Sequence, residues 1–151
     1  MNKKLKVSRD SVTLVKENPD RYLGGYVVLE DYLSSLIVSD AEVLLQQPIY
    51  RFNNDNYYYI LGKKNWLDNK NVAGCDWKGN FSKLILLPER GANAIRHEVF
   101  LMAYVDNIIV IEGGYLSKIK GSAPLKSELK LLEEEMKRNS CEFAIGFSKT
   151  T

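Results

Sequence analysis

Cysteine and histidine are scarce in this chain. Its 151 residues include two cysteines, Cys75 and Cys141, and a single histidine, His97. The cysteines lie far apart and match no metal-binding spacing, and two cysteines cannot build a dense disulfide framework. The sequence therefore predicts a protein of a reducing compartment, and we expect a cytoplasmic location.

Long apolar segments are also missing. No apolar run approaches the length that a helix needs to span a bilayer. The opening Met1-Asn2-Lys3-Lys4 is not followed by the apolar segment that is typical of signal peptides. These absences predict a protein that does not associate with membranes.

Motifs that bind metals or cofactors are absent or broken. A zinc-peptidase helix needs histidines at its first and fifth positions, and in the segment that starts at His97 the fifth position is Leu101. Lys70 and Val72 stand where a calcium loop needs acidic or amide side chains. No glycine-rich phosphate loop follows a strand-like run. We therefore expect neither a metal nor a cofactor.

The composition is that of an ordinary globular protein, with 45% hydrophobic and 26% charged residues. A chain of this length can bury a core without disulfides or metals, so we expect a single domain over residues 1–151. The net charge is only +2, which is low for a dedicated nucleic-acid binder. The first nine residues are basic and predict either a solvated terminus or a flexible basic arm.

The first half of the chain predicts helices and then a hairpin. Ser11–Val15 has strand character because it is rich in β-branched residues. An apolar helical stripe begins at Leu29, and Ser39 either opens a second short helix or lies within one kinked helix. Residues 49–52 and 57–61 are strand-like and flank an Asn/Asp turn.

The second half predicts more strands and one clear helix. Strands are expected at residues 81–87, 99–105, 108–111 and 115–119, and Asp106-Asn107 predicts a two-residue hairpin turn. An amphipathic helix follows Pro124, and residues 141–147 form a terminal strand. The order predicts an α+β fold: a mostly antiparallel sheet of five to seven strands, with two or three helices packed on one face.

The segment from Gly62 to Asn80 is the strongest functional signal. It is a long polar loop between strand-like runs and carries both tryptophans, and loops of this kind are often binding elements. Together with the preceding strand it groups aromatic rings with charged side chains, as interface centres do. The predicted binding residues are Tyr57, Tyr59, Lys63, Lys64, Trp66, Asp68, Lys70, Trp77 and Lys78.

These features favour a small binding protein without catalysis of its own. We expect the partner to be another protein, and inhibitors such as immunity proteins, antitoxins and phage counter-defence proteins share this motif-free α+β character. An enzyme with a site centred on Cys75 and His97 is an alternative. A module that binds single-stranded nucleic acid through lysines and aromatic rings is another.

Overall fold

Helices and strands are mixed along the chain. A computed structural model describes residues 11–18, 29–54, 56–67 and 77–148. In these residues the α-helices are α1 (Ser11–Glu17), α2 (Leu29–Leu45), α3 (Glu98–Tyr104) and α4 (Lys126–Arg138). The strands are β1 (Tyr50–Asn53), β2 (Tyr57–Gly62), β3 (Ile108–Glu112), β4 (Tyr115–Lys120) and β5 (Phe143–Ser148), and a 3₁₀ helix spans Trp77–Phe81.

The five strands form one antiparallel sheet in the order β1-β2-β5-β3-β4. The last strand in the chain, β5, lies at the centre, and all six of its residues are buried. It joins the hairpin β1–β2 to the hairpin β3–β4, since it pairs with both β2 and β3. The predicted α+β class, the antiparallel sheet and the number of strands are confirmed.

Three helices cover one face of the sheet. Residues of α1, α2 and α3 share a core cluster with the side chains that β2, β3 and β5 direct to this face, such as Val15, Leu33 and Val99 beside Val110 and Ile145. The spacing of Leu33, Ile37 and Ala41 along α2 explains how one helical stripe reaches this core.

The fourth helix covers the opposite face. Leu132 and Met136 of α4 are buried against Tyr59, Leu61 and Ile109. The sheet is therefore enclosed on both sides, and the described residues contain one helix more than the sequence predicted.

The elements with strong local signals are confirmed. The hairpin β1–β2 pairs Tyr50 with Leu61, and the Oδ1 of Asn54 in its turn accepts hydrogen bonds from the backbone N–H groups of Asn56 and Tyr57. Helix α4, strand β4 and the terminal strand β5 also lie where they were predicted.

The run from Val99 to Val105 was wrongly predicted as a strand, because it forms helix α3 and ends in its C-cap. Val99, Phe100 and Leu101 are all buried, so this short helix is apolar around most of its circumference. A continuous apolar run cannot by itself distinguish a buried strand from a buried helix. The Asp106-Asn107 pair is therefore not a hairpin turn; it connects α3 to β3.

Other local predictions were also wrong. Ser11–Val15 lies in helix α1, and residues 81–87 form no strand beyond a single bridge between Leu86 and Ile95. Of the two alternatives for Ser39, the single helix is confirmed, because Ser39 lies within the continuous helix α2. None of the helices in the described ranges is long and apolar enough to cross a membrane. The predicted basic arm, residues 1–9, lies outside the described residues.

Candidate functional site

Three of the predicted binding aromatics are buried. Trp66 is 2% exposed and packs edge-on against the ring of Phe143, with 4.7 Å between the ring centroids. Tyr57 and Tyr59 are 6% and 1% exposed because their face of β2 points towards α4. Each of these three rings completes the core on one side of the sheet and presents little surface to a partner.

The other predicted residues give limited support for a binding surface. Lys63, Lys64 and Lys78 are exposed, and the half-buried Trp77 has the ammonium group of Lys78 at 5.7 Å from its ring. Asp68, Lys70 and the candidate nucleophile Cys75 lie outside the described residues. Binding through this loop stays a prediction. Stacking of nucleic-acid bases on Tyr57, Tyr59 or Trp66 would require these buried rings to become exposed.

A more exposed apolar surface lies at β4. This strand is at one edge of the sheet, and among the described strands it pairs only with β3. Tyr115 is 82% exposed and Leu116 is 38% exposed, and they lie on opposite faces of the sheet because successive side chains of a strand alternate. Lys120 is held in place, since its Nζ donates hydrogen bonds to the backbone oxygens of Met102 and Val105 at the end of α3.

An open groove of about 580 Å³ adjoins this edge, between α4 and the hairpin β3–β4. The register places Leu116 opposite Ile111, so both side chains are on the face that α4 covers. Helix α4 packs over the middle of the sheet and leaves Leu116 at the groove wall. The groove's apolar lining consists of Ile111, Leu116, Leu129, Met136 and Cys141.

Charged side chains and one cysteine complete this groove. Glu133, Lys137 and Glu142 line it and are exposed. Cys141 is 7% exposed, and burial raises the pKa of its thiol while Lys63 lowers it to a smaller extent. A thiol with a raised pKa is a poor nucleophile, so Cys141 contributes apolar surface to the groove rather than chemistry.

A second polar cluster joins α2 to the segment that precedes α3. Asp40 is fully buried and accepts a hydrogen bond at 2.9 Å from the backbone N–H of His97. Its carboxylate also faces the Nδ1 of His97 at 2.9 and 3.1 Å and accepts a hydrogen bond from Arg90 at 2.7 Å. These contacts span 50 to 57 residues of sequence and satisfy a carboxylate that would otherwise be costly to bury.

A third polar pair is deeper in the protein. The Nε of Arg96 donates to the Oε1 of Glu98 at 3.1 Å, and its Nη2 donates to the backbone oxygen of Trp66 at 2.9 Å. Both side chains are at most 5% exposed. Burial raises the pKa of Glu98, and the guanidinium of Arg96 opposes that rise. No cluster of potential metal ligands occurs within the described ranges.

Sequence reasoning missed the groups that the fold brings together. Asp40 was not predicted as a buried residue, although it lies among the apolar positions of α2 beside Ile37 and Ala41. An acidic residue at a core-facing position signals a buried partner, and this signal was available. The exposure of Tyr115 had no such signal, because it depends on which strand forms the sheet edge.

Comparisons with known proteins leave the function open. No family model, no curated protein and no solved structure matches the chain. The interpretation of its surfaces therefore depends on the chemistry of its own residues.

Proposed function

We propose that the protein is a noncatalytic binding module that engages another protein through the edge of β4 and the adjoining groove. The observation that carries the proposal is an edge strand whose exposed Leu116 lines an apolar groove, with the exposed Tyr115 beside it on the other face. An exposed strand edge presents backbone N–H and C=O groups that an extended segment of a partner can pair with.

The two edges of the sheet differ in a way that favours β4. At the other edge, β1 exposes Arg51 and Asn53, which are polar, while its aromatic Phe52 is half-buried against the core. At the β4 edge the exposed side chains include the apolar Tyr115 and Leu116 as well as Lys118. A lysine on an edge strand, such as the exposed Lys118, discourages indiscriminate pairing with other edges.

The register predicts the chemistry of the bound segment. Leu116 and Lys118 lie opposite Ile111 and Ile109, so they share the face that carries the groove. A strand added to this edge would place every second side chain on that face. We therefore expect a partner segment with an apolar residue beside Leu116 and an acidic residue beside Lys118, two positions apart.

This mode of binding suits an inhibitor. A protein that blocks a partner needs a rigid scaffold and a complementary surface, and it needs no catalytic motif. The immunity, antitoxin and phage counter-defence classes are the functional classes that we propose for this chain, with the target protein as the partner.

Selection from a library of linear random peptides on the immobilised protein tests the proposal. We expect the selected peptides to carry an apolar and an acidic residue two positions apart and to increase amide protection in Tyr115–Lys120 during hydrogen exchange. Leu116→Asp should abolish binding, because it puts a carboxylate at the groove wall. Leu86→Asp is the matched control, since Leu86 is 63% exposed and does not line the groove.

Two results would refute this function. Peptides that bind Leu116→Asp as tightly as the wild type would show that the groove is not the site. Protection that maps to β1 rather than to β4 would move the interface to the other edge of the sheet.

A further inference from the structure

A second cleft, of about 530 Å³, opens on the side of the molecule that carries α1, α2 and α3. Its volume falls in the range of small-molecule sites. It is separate from the groove beside β4, because the two share no lining residue. Its lining combines apolar side chains with a cation, an amide and the single imidazole of the chain: Leu84, Ile95, Phe100, Arg90, Asn93 and His97.

The imidazole in this cleft has a defined orientation. A carboxylate only accepts hydrogen bonds, so the contacts between Asp40 and the Nδ1 of His97 assign the Nδ1 proton to the imidazole. The ring also packs edge-on against Phe100, with 5.2 Å between centroids. With Nδ1 engaged, Nε2 is the nitrogen available to a ligand, and the side chain of His97 is 14% exposed.

The guanidinium of Arg90 is only partly used. Its Nη2 donates to the Oδ1 of Asp40 and to the hydroxyl of Ser39, each at 2.7 Å. The Nε and Nη1 groups donate to no residue in the described ranges, and the side chain is 29% exposed. Asp40 holds both Arg90 and His97 but is itself fully buried. A ligand in the cleft therefore meets hydrogen-bonding nitrogens and a cation, while the compensating carboxylate is out of its reach.

From this geometry we propose that the cleft binds a small molecule that carries a carboxylate or phosphate group on an apolar body. The oxyanion accepts hydrogen bonds from Arg90, which matches planar oxyanions with its fork of donors, and it lies beside the imidazole of His97. The apolar body lies against Leu84, Ile95 and Phe100. The side chain of His97 hydrogen bonds with Asp40 alone among the described residues, so the arrangement supports binding rather than nucleophilic catalysis.

The single histidine makes a direct test possible, because its imidazole carbon–proton signals in an NMR spectrum need no residue assignment. We would titrate the protein with phenyl phosphate, phenylacetate and the neutral phenylacetamide. The proposal expects saturable shifts of the His97 signals with either anion and weaker binding of the amide. A preference between the two anions distinguishes a phosphate ligand from a carboxylate ligand.

Two variants separate binding from structural support. Arg90→Gln should lower the affinity for the anions by about tenfold or more, since it removes a charge-assisted hydrogen bond. Asn93→Trp should block the cleft without touching the Asp40 network, because Asn93 is exposed and lines the cleft. Arg138→Gln is the control for lost charge, as Arg138 is a surface arginine outside the cleft.

The proposal is overturned if no anion shifts the His97 signals at millimolar concentrations. It is also overturned if phenylacetamide binds as tightly as phenylacetate, or if folded Asn93→Trp protein binds the anions as the wild type does. None of these outcomes depends on the groove beside β4, so this cleft and the proposed protein-binding function can fail independently.

Discussion

Replacement of Arg96 by methionine should strongly destabilise the protein. The side chain of Arg96 is 5% exposed and that of Glu98 is 0% exposed, and their Nε and Oε1 atoms are 3.1 Å apart. Methionine has a similar length but no charge, so it would leave the carboxyl group of Glu98 buried without its guanidinium partner. The hydrogen bond from Arg96 to the backbone oxygen of Trp66 would also be lost.

The magnitude follows from the burial of both groups. Removing one partner of a buried ion pair costs about 3–5 kcal/mol of unfolding free energy. For a domain of this size, each kcal/mol shifts the Tm by roughly 2–4 °C, so we expect a decrease of roughly 6–20 °C. Urea unfolding followed by tryptophan fluorescence measures the loss, since Trp66 moves from the core into water.

The loss should also depend on pH. Burial raises the pKa of Glu98 and Arg96 opposes that rise. Arg96→Met should therefore raise the pKa of Glu98 in the folded protein further. A carboxyl with a raised folded-state pKa contributes stability below its ordinary value of 4.5 and loses it as the pH rises through the folded-state pKa. The destabilisation by Arg96→Met should therefore be larger at about pH 7 than at about pH 5.

An exposed ion pair provides the matched control. Arg138 is 68% exposed and pairs with Glu135, so Arg138→Met should change the unfolding free energy by less than about 1 kcal/mol. If Arg96→Met cost no more than this control, the buried pair would not stabilise the fold. A destabilisation that grows as the pH falls would refute the raised pKa of Glu98.

Two further predictions test how the sheet is packed. A Cβ at Gly146 would lie 2.7 Å from the ring of Tyr59, so Gly146→Ala should lower the unfolding free energy by about 1–3 kcal/mol. Gly91→Ala is the control and should be close to neutral in urea unfolding, because no atom lies within 4 Å of a Cβ at that position. Leu132→Ala should cost about 2–5 kcal/mol because Leu132 is fully buried between α4 and the sheet, whereas Leu131→Ala, at a half-exposed position, should change the unfolding free energy by about 0.5 kcal/mol or less. Equal effects within either pair would contradict the packing described above.

The helix α4 could be predicted because its signal is local. Leu129, Leu132 and Met136 recur at helical spacing, and Lys137 and Arg138 close the last turn. The hairpin β1–β2 was predictable for the same reason, since its turn residues lie directly between two strand-like runs. In both cases the residues that determine the structure are close together in the sequence.

The candidate sites depended on contacts that no local pattern contains. The sequence showed an aromatic loop but not that Trp66 would close the core against Phe143, which lies in the last strand. It also gave no indication that Asp40 would meet His97, 57 residues away.

Alone, the sequence determined the α+β class and the elements with regular periodicity, because hydrophobic spacing acts within a few turns of chain. The tertiary structure decided that α3 is a helix, that β4 is an edge and which polar groups meet. These outcomes are set by packing between distant segments, where the burial of apolar side chains outweighs the local preference for helix or strand.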